Sequence, residues 1–190
     1  HVLNYSEPFD GTISREELQE HLFSDPERPT AIPYVTSYYR PRWGLCLPHS
    51  LRESLPAGDY RVSIRARKRS GSLNFWTARL GCGAPDADQI LISTYLCHPS
   101  MGNNELSGPL AMAALYQVLQ SRERLSDYLF VLGPETLGAL VFLDSLGEEE
   151  LASISAGLVL TCLGGPEDSL SIKKSRQDWV ANPSRLDRLA

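Results

Sequence analysis

The chain has 190 residues, 42% hydrophobic and 22% charged, and its 18 Lys plus Arg against 23 Asp plus Glu give a formal charge of −5. Such a composition suits a packed core of one or two domains of roughly 100 to 200 residues each and excludes a disordered tail. The acidic balance gives no attraction to a phosphate backbone, and no apolar run nears the roughly 20 residues that span a bilayer, so neither nucleic acid nor membrane is an expected partner.

The opening residues, His1 to Tyr5, read as a strand already under way, and the closing WVANPSRLDRLA reads as the inside of a helix, so both ends look cut from a longer protein. Ser14-Arg15-Glu16-Glu17 ahead of Leu18 and Leu22 is a capping box and predicts a short helix. The stretches AIPYVTSYYRPRWGLCLP and DYRVSIRARKRSGSLNFWTARL read as strands, the second as two strands around a turn at Gly71. Within it Val62, Ile64 and Ala66 alternate with Arg61, Ser63, Arg65 and Arg67, giving an apolar inner face and a basic outer face of an antiparallel sheet. Trp43, Trp76 and the Tyr34, Tyr38, Tyr39 cluster are assigned to core or sheet packing, and His21 and His49 to structural roles. Cys46, Cys82, Cys97 and Cys162 are scattered, with no C-x-x-C pair, and Cys97 and Cys162 sit in apolar runs as buried thiols, which suits a reducing, cytoplasmic setting.

From about residue 85 the rhythm changes. Ile90 to Leu96, Tyr128 to Leu132 and Gly157 to Leu163 are apolar strands, separated by helices over Pro109 to Leu119 and Leu137 to Leu146. Alternating strands and helices with uninterrupted apolar strands predict an α/β domain, a mostly parallel sheet with helices on both faces. Residues 1–84 then form a β-rich domain with one short helix.

Ligands of open α/β sheets bind beyond the carboxyl ends of the strands, and the polar residues fall there. The first strand is followed by Cys97-His98-Pro99-Ser100-Met101-Gly102-Asn103-Asn104-Glu105, read as a loop, and the second by Gly133-Pro134-Glu135-Thr136. His98 and Glu135 thus end neighbouring elements. A His with carboxylates from separate strand ends suits Zn²⁺, with a further Glu as base on the bound water; a helix cap is the alternative role of Glu135. A Cys97–His98 nucleophile pair is disfavoured because neighbours in an extended segment point apart. Neither a G-x-S-x-G elbow nor a dinucleotide or nucleoside triphosphate fingerprint is present.

The strings AIPYVTSYYRPRWGLCLPHS, ILISTYLCHPSMGNNELSGP and VLGPETLGAL resemble the bacterial aminopeptidase-like proteins, zinc peptidases also filed under polysaccharide biosynthesis, whose fold is similar to two-zinc exopeptidases of the bacterial leucyl aminopeptidase type. The resemblance implies that residues 1–84 are a small inserted domain and 85–190 part of the catalytic domain. It implies His98 as first metal ligand, Asn104 where a bridging Asp is expected, Glu135 as general base, Thr136 where a metal-binding Glu is expected, and Thr161 where a further Asp is expected. Glu105 is the candidate substitute ligand. The implied activity is zinc-dependent hydrolysis of a small peptide or aminoacyl substrate by a site with one ion; the alternative is a degenerate relative, its metal lost, that binds a peptide, amino acid or protein partner. Oligomerisation is open.

Overall fold

The computed structural model describes residues 1–165 and 170–173, and the helix expected at the closing residues lies outside them. The chain divides into two compact units, His1–Gly71 and Ser72–Ala190.

The first unit contains β1 (Phe9–Ser14), α1 (Arg15–Glu20), β2 (Leu22–Phe23), β3 (Leu45–Cys46), α2 (His49–Ser54) and β4 (Asp59–Ile64). Strands β1 and β4 pair antiparallel, Phe9 opposite Ile64 and Ser14 opposite Asp59, and β2 pairs parallel with β3. The capping box forms: Glu17 N–H donates to Ser14 Oγ at 3.2 Å. Alternation along β4 buries Val62 and Ile64 against Ile13, Leu18 and Leu22. Arg61, Ser63 and Arg65 face outward, as their period of two requires. The Trp43 ring stacks on both Phe9 and His21, at centroid distances of 4.2 and 3.5 Å. His21 Nδ1 lies 3.2 Å from Trp43 O and His49 Nδ1 3.0 Å from Ser24 Oγ, so each has a structural partner.

Several expectations need correction here. Residues 1–5 form isolated bridges at Val2 and Asn4 instead of a strand. The proline-interrupted stretch after residue 31 yields only β3 and a bridge at Thr36, and Tyr34, Tyr38 and Tyr39 are exposed outside any sheet. The two strands expected on either side of a turn at Gly71 join different sheets, and the two compact units meet at Gly71.

The second unit contains β5 (Trp76–Leu80), β6 (Gln89–Tyr95), α3 (Gly102–Gln120), β7 (Asp127–Gly133), α4 (Leu137–Asp144), α5 (Glu148–Ser153) and β8 (Ile154–Val159). Its four-stranded sheet has the order β5-β7-β6-β8, with β6 parallel to both β7 and β8 and β5 antiparallel to β7. Phe130 and Ile92 pack with Met112 of α3, while Leu129 and Val131 pack with Phe142 of α4. Neighbours along a strand point to opposite faces, so these clusters place α3 and α4 on opposite sides of the sheet, and the unit is mixed α/β. Trp76, by contrast with the packing assigned to it, is exposed.

Helix α3 begins seven residues before the expected start at Pro109, which lies inside the helix. Proline lacks one backbone donor. The first turns are braced instead by side chains: Ser107 Oγ donates to Asn103 O, and the N–H groups of Leu163 and Gly164 donate to Ser107 Oγ and Asn103 Oδ1 at 2.8 and 2.7 Å. Leu163 and Gly164 are thus bonded to α3, and β8 ends at Val159 and not at Leu163. Gly108 lets the helix come close: a Cβ there would stand 2.3 Å from Thr94 Oγ1 and 2.5 Å from Leu160 O. No described helix is long and apolar enough to cross a membrane.

Candidate functional site

Because β6 and β7 are adjacent and parallel, with Tyr95 opposite Gly133, the segments that leave them emerge on the same edge of the sheet. Residues 97–98 follow β6 and residues 134–136 follow β7. Helix α3 starts beside them, so its early residues face the same edge.

Glu105 is the buried centre, only 3% exposed. Its Oε2 accepts the N–H of Cys97 and, at 2.8 Å, the N–H of His98, while Oε1 lies 2.8 Å from His98 Nδ1. A carboxylate so enclosed requires charge-assisted donors, and two backbone amides and an imidazole supply them. On the far side of the ring, His98 Nε2 lies 3.4 Å from Oε2 of Glu135, whose side chain is 49% exposed. One imidazole is therefore placed between a buried and an open carboxylate.

Cys97 is half-buried and closer to this pair than an extended segment allows. Its Sγ is 3.3 Å from His98 Nδ1 and accepts the N–H of Glu135 at 3.2 Å. The expectation that Cys97 and His98 point apart fails because β6 ends at Tyr95 and His98 sits in a bend. Burial pushes the Cys97 thiol above its usual range; the Glu135 N–H opposes this, and the charges of Glu105 and Glu135 add to it. The bend continues into Ser100 at φ 69°, and Thr136, next to Glu135, has φ 59° and ψ −68°. A β-branched residue rarely adopts such a backbone, so the turn that presents Glu135 is held in place by its surroundings.

Asn104 takes a different course. Its Nδ2 donates to Tyr95 OH at 2.9 Å, and that hydroxyl lies 2.6 Å from Thr161 Oγ1. Cys162, exposed where a buried thiol was expected, accepts from Asn104 Nδ2 at 3.6 Å. The site thus brings His98, Glu105 and Glu135 together, while Asn104 enters a neighbouring uncharged network with Tyr95 and Thr161. Sequence reasoning missed Tyr95 and the sulfur of Cys97; the turn signal Pro99-Ser100 directly after His98 was the available clue to the bend.

Cys97, His98 and Glu105 each offer one metal-binding atom, all within 4.8 Å of one another. Donors sharing a tetrahedral zinc with bonds of about 2.0–2.3 Å stand roughly 3.3–3.6 Å apart. The observed 3.3 Å from Sγ to Nδ1 and 2.8 Å from Nδ1 to Oε1 need only small adjustment. Thiolate, imidazole and carboxylate are the donor types zinc takes, so these residues fit the ion. A cleft of about 530 Å³, lined by residues 96–102, Glu105 and Leu106, opens over them.

A protein of Clostridium acetobutylicum described as a candidate polysaccharide biosynthesis protein with aminopeptidase-like domain is 36% identical over 164 residues, which is 86% of this chain and 37% of that protein. The crystal structure of a candidate peptidase from the same organism superposes with a TM-score of 0.79 at 35% identity, covering 87% of this chain and 39% of that one. The chain therefore spans under two fifths of either relative and shares the fold of the corresponding part. Residues 10–188 match the DUF4910 family, described as a domain of unknown function, and the chain belongs to that family.

Proposed function

We propose that the second unit carries the strand-end site of a zinc-dependent, aminopeptidase-like hydrolase of peptide or amide bonds, with Glu135 as general base. The observation that carries this reading is the His98 imidazole held between buried Glu105 and open Glu135 beyond the ends of two adjacent parallel strands. Clefts in that position are where open α/β sheets bind ligands, and the descriptions of both relatives point to peptidase chemistry. In this reading the first unit is the β-rich insert of a longer catalytic protein. Zinc, when bound, supplies Lewis-acid polarisation of a carbonyl and acidification of a water. Glu105 fixes the ring of His98 and its donor atoms. Glu135, half open to solvent, accepts the proton of the attacking water and passes it toward the leaving amine. Of the three expected ligand positions, His98 and Glu105 offer converging donors, whereas Asn104 would have to turn its amide oxygen out of the Tyr95 network.

That network favours a second reading. Asn104 and Thr161 place uncharged groups where carboxylates would hold a metal, which suits a relative that binds a peptide, amino acid or protein partner without hydrolysis. Release from aminoacyl chromogenic substrates with added Zn²⁺ separates the two. Under the first reading Glu135→Gln lowers kcat by about 10²–10⁴-fold with metal content unchanged. Undiminished turnover in that variant removes Glu135 from the mechanism, and peptide binding without any turnover by the parent chain selects the second reading.

A further inference from the structure

We propose that the site holds a single metal ion through the sulfur of Cys97, together with His98 Nδ1 and Glu105, and so selects Zn²⁺ or Co²⁺ over Mg²⁺ and Ca²⁺. The proposal rests on the metal-dependent reading above and extends it to a ligand that reading does not use.

Cys97 Sγ is positioned for this role before any ion arrives. The Glu135 N–H holds it at 3.2 Å, and it lies 3.3 Å from the imidazole nitrogen that also faces Glu105. A thiolate and one carboxylate balance the double charge of the ion, which a set of His98, Asn104 and Glu105 does not. Soft sulfur sets the preference, since Mg²⁺ and Ca²⁺ take oxygen ligands. The cleft over residues 96–102 leaves space for a further ligand such as water.

The protons balance simply. As the metal–sulfur bond forms, the Cys97 S–H proton leaves to solvent. The imidazole keeps one proton, which passes from Nδ1 to Nε2, where Glu135 Oε2 at 3.4 Å can accept its hydrogen bond.

Among the described residues, the neighbouring side is formed by Asn104, Tyr95, Thr161 and the exposed thiol of Cys162 and includes no carboxylate. Asn104, Tyr95 and Thr161 there are joined by hydrogen bonds of 2.9 and 2.6 Å and carry no charge. The described residues thus provide for one ion, at Cys97, His98 and Glu105.

Cobalt titration of the full chain under reducing conditions tests this directly, because cobalt bound by thiolate gives an intense near-ultraviolet charge-transfer band. The expected result is one equivalent of Co²⁺ with that band, displaced by Zn²⁺ but not by excess Mg²⁺ or Ca²⁺. Cys97→Ser should abolish the band and weaken Co²⁺ binding at least tenfold with an unchanged circular dichroism spectrum, and Cys162→Ser should leave the band intact. Cobalt bound without the band, a band that survives Cys97→Ser, or two ions per chain overturns the proposal while leaving the hydrolase reading standing. A thiolate band without Glu135-dependent turnover does the reverse, and a chain that binds no metal sinks both.

Discussion

Removing the Glu105 carboxylate is the perturbation whose effect the structure fixes most closely. In Glu105→Ala the N–H groups of Cys97 and His98 lose their shared acceptor and His98 Nδ1 loses its partner, all around a side chain that is 3% exposed. Hydrogen bonds to a charged acceptor contribute about 1.5–3 kcal/mol each, so the two backbone bonds alone amount to about 3–6 kcal/mol. Each amide loses one such bond, so at about 1.4 kcal/mol per factor of ten its protection against hydrogen exchange should fall roughly 10–10²-fold. Glu105→Gln behaves differently: its carbonyl oxygen can accept both N–H groups, and its amide NH₂ then faces Nδ1 and drives the imidazole to the Nε2–H tautomer. The Gln variant should retain most of the protection and change the ¹⁵N shifts of the His98 ring. Exchange of the Cys97 and His98 amides unaltered in Glu105→Ala would refute the assignment of Glu105 as the centre of the site.

Gly108→Ala should destabilise the second unit by at least about 1–3 kcal/mol, although the same change in an exposed helix gains about 1 kcal/mol, because the new methyl meets a backbone oxygen at 2.5 Å; urea unfolding measures it, and a stabilised variant would contradict the close approach of α3 to β6. The Cys97 thiol, held above its usual pKa, should alkylate slowly at neutral pH and gain rate only as pH rises past the ordinary thiol range. Glu135→Gln removes one of the charges that raise that pKa and keeps the backbone N–H, so the thiolate fraction at a given pH rises and alkylation of Cys97, followed by peptide mass mapping, should quicken. An unchanged or slower rate would show that the Glu135 charge does not reach the sulfur.

The strands of the second unit were legible because a strand covered on both faces must be apolar at every position, as Leu129, Phe130 and Val131 are. From that came the shared edge of His98 and Glu135. Where α3 begins was not legible, since Pro109 imitates a first-turn proline and the polar residues before it imitate a loop. What makes them helical is the long-range pairing of Asn103 and Ser107 with Gly164 and Leu163, which no local pattern reports. The same shift makes Glu105 a fixed, buried helix residue instead of a loop residue free to swing inward. The Gly71 turn misled for a related reason: strand propensity says that residues 59–64 and 76–80 are extended but not which neighbours complete their ladders. The sulfur of Cys97 was lost to an argument valid only inside a regular strand.

The unequal burial of the two carboxylates gives the imidazole a dry side and a wet side. Salt screens charges in contact with solvent and leaves enclosed ones nearly untouched, so in the doubly protonated ring rising ionic strength should loosen the hold of Glu135 on Nε2 while that of Glu105 on Nδ1 persists. The ring then keeps its anchor and gains freedom at the nitrogen that faces Glu135. Ionic strength becomes a handle on one half of the site alone, able to vary the Glu135 contact without a substitution.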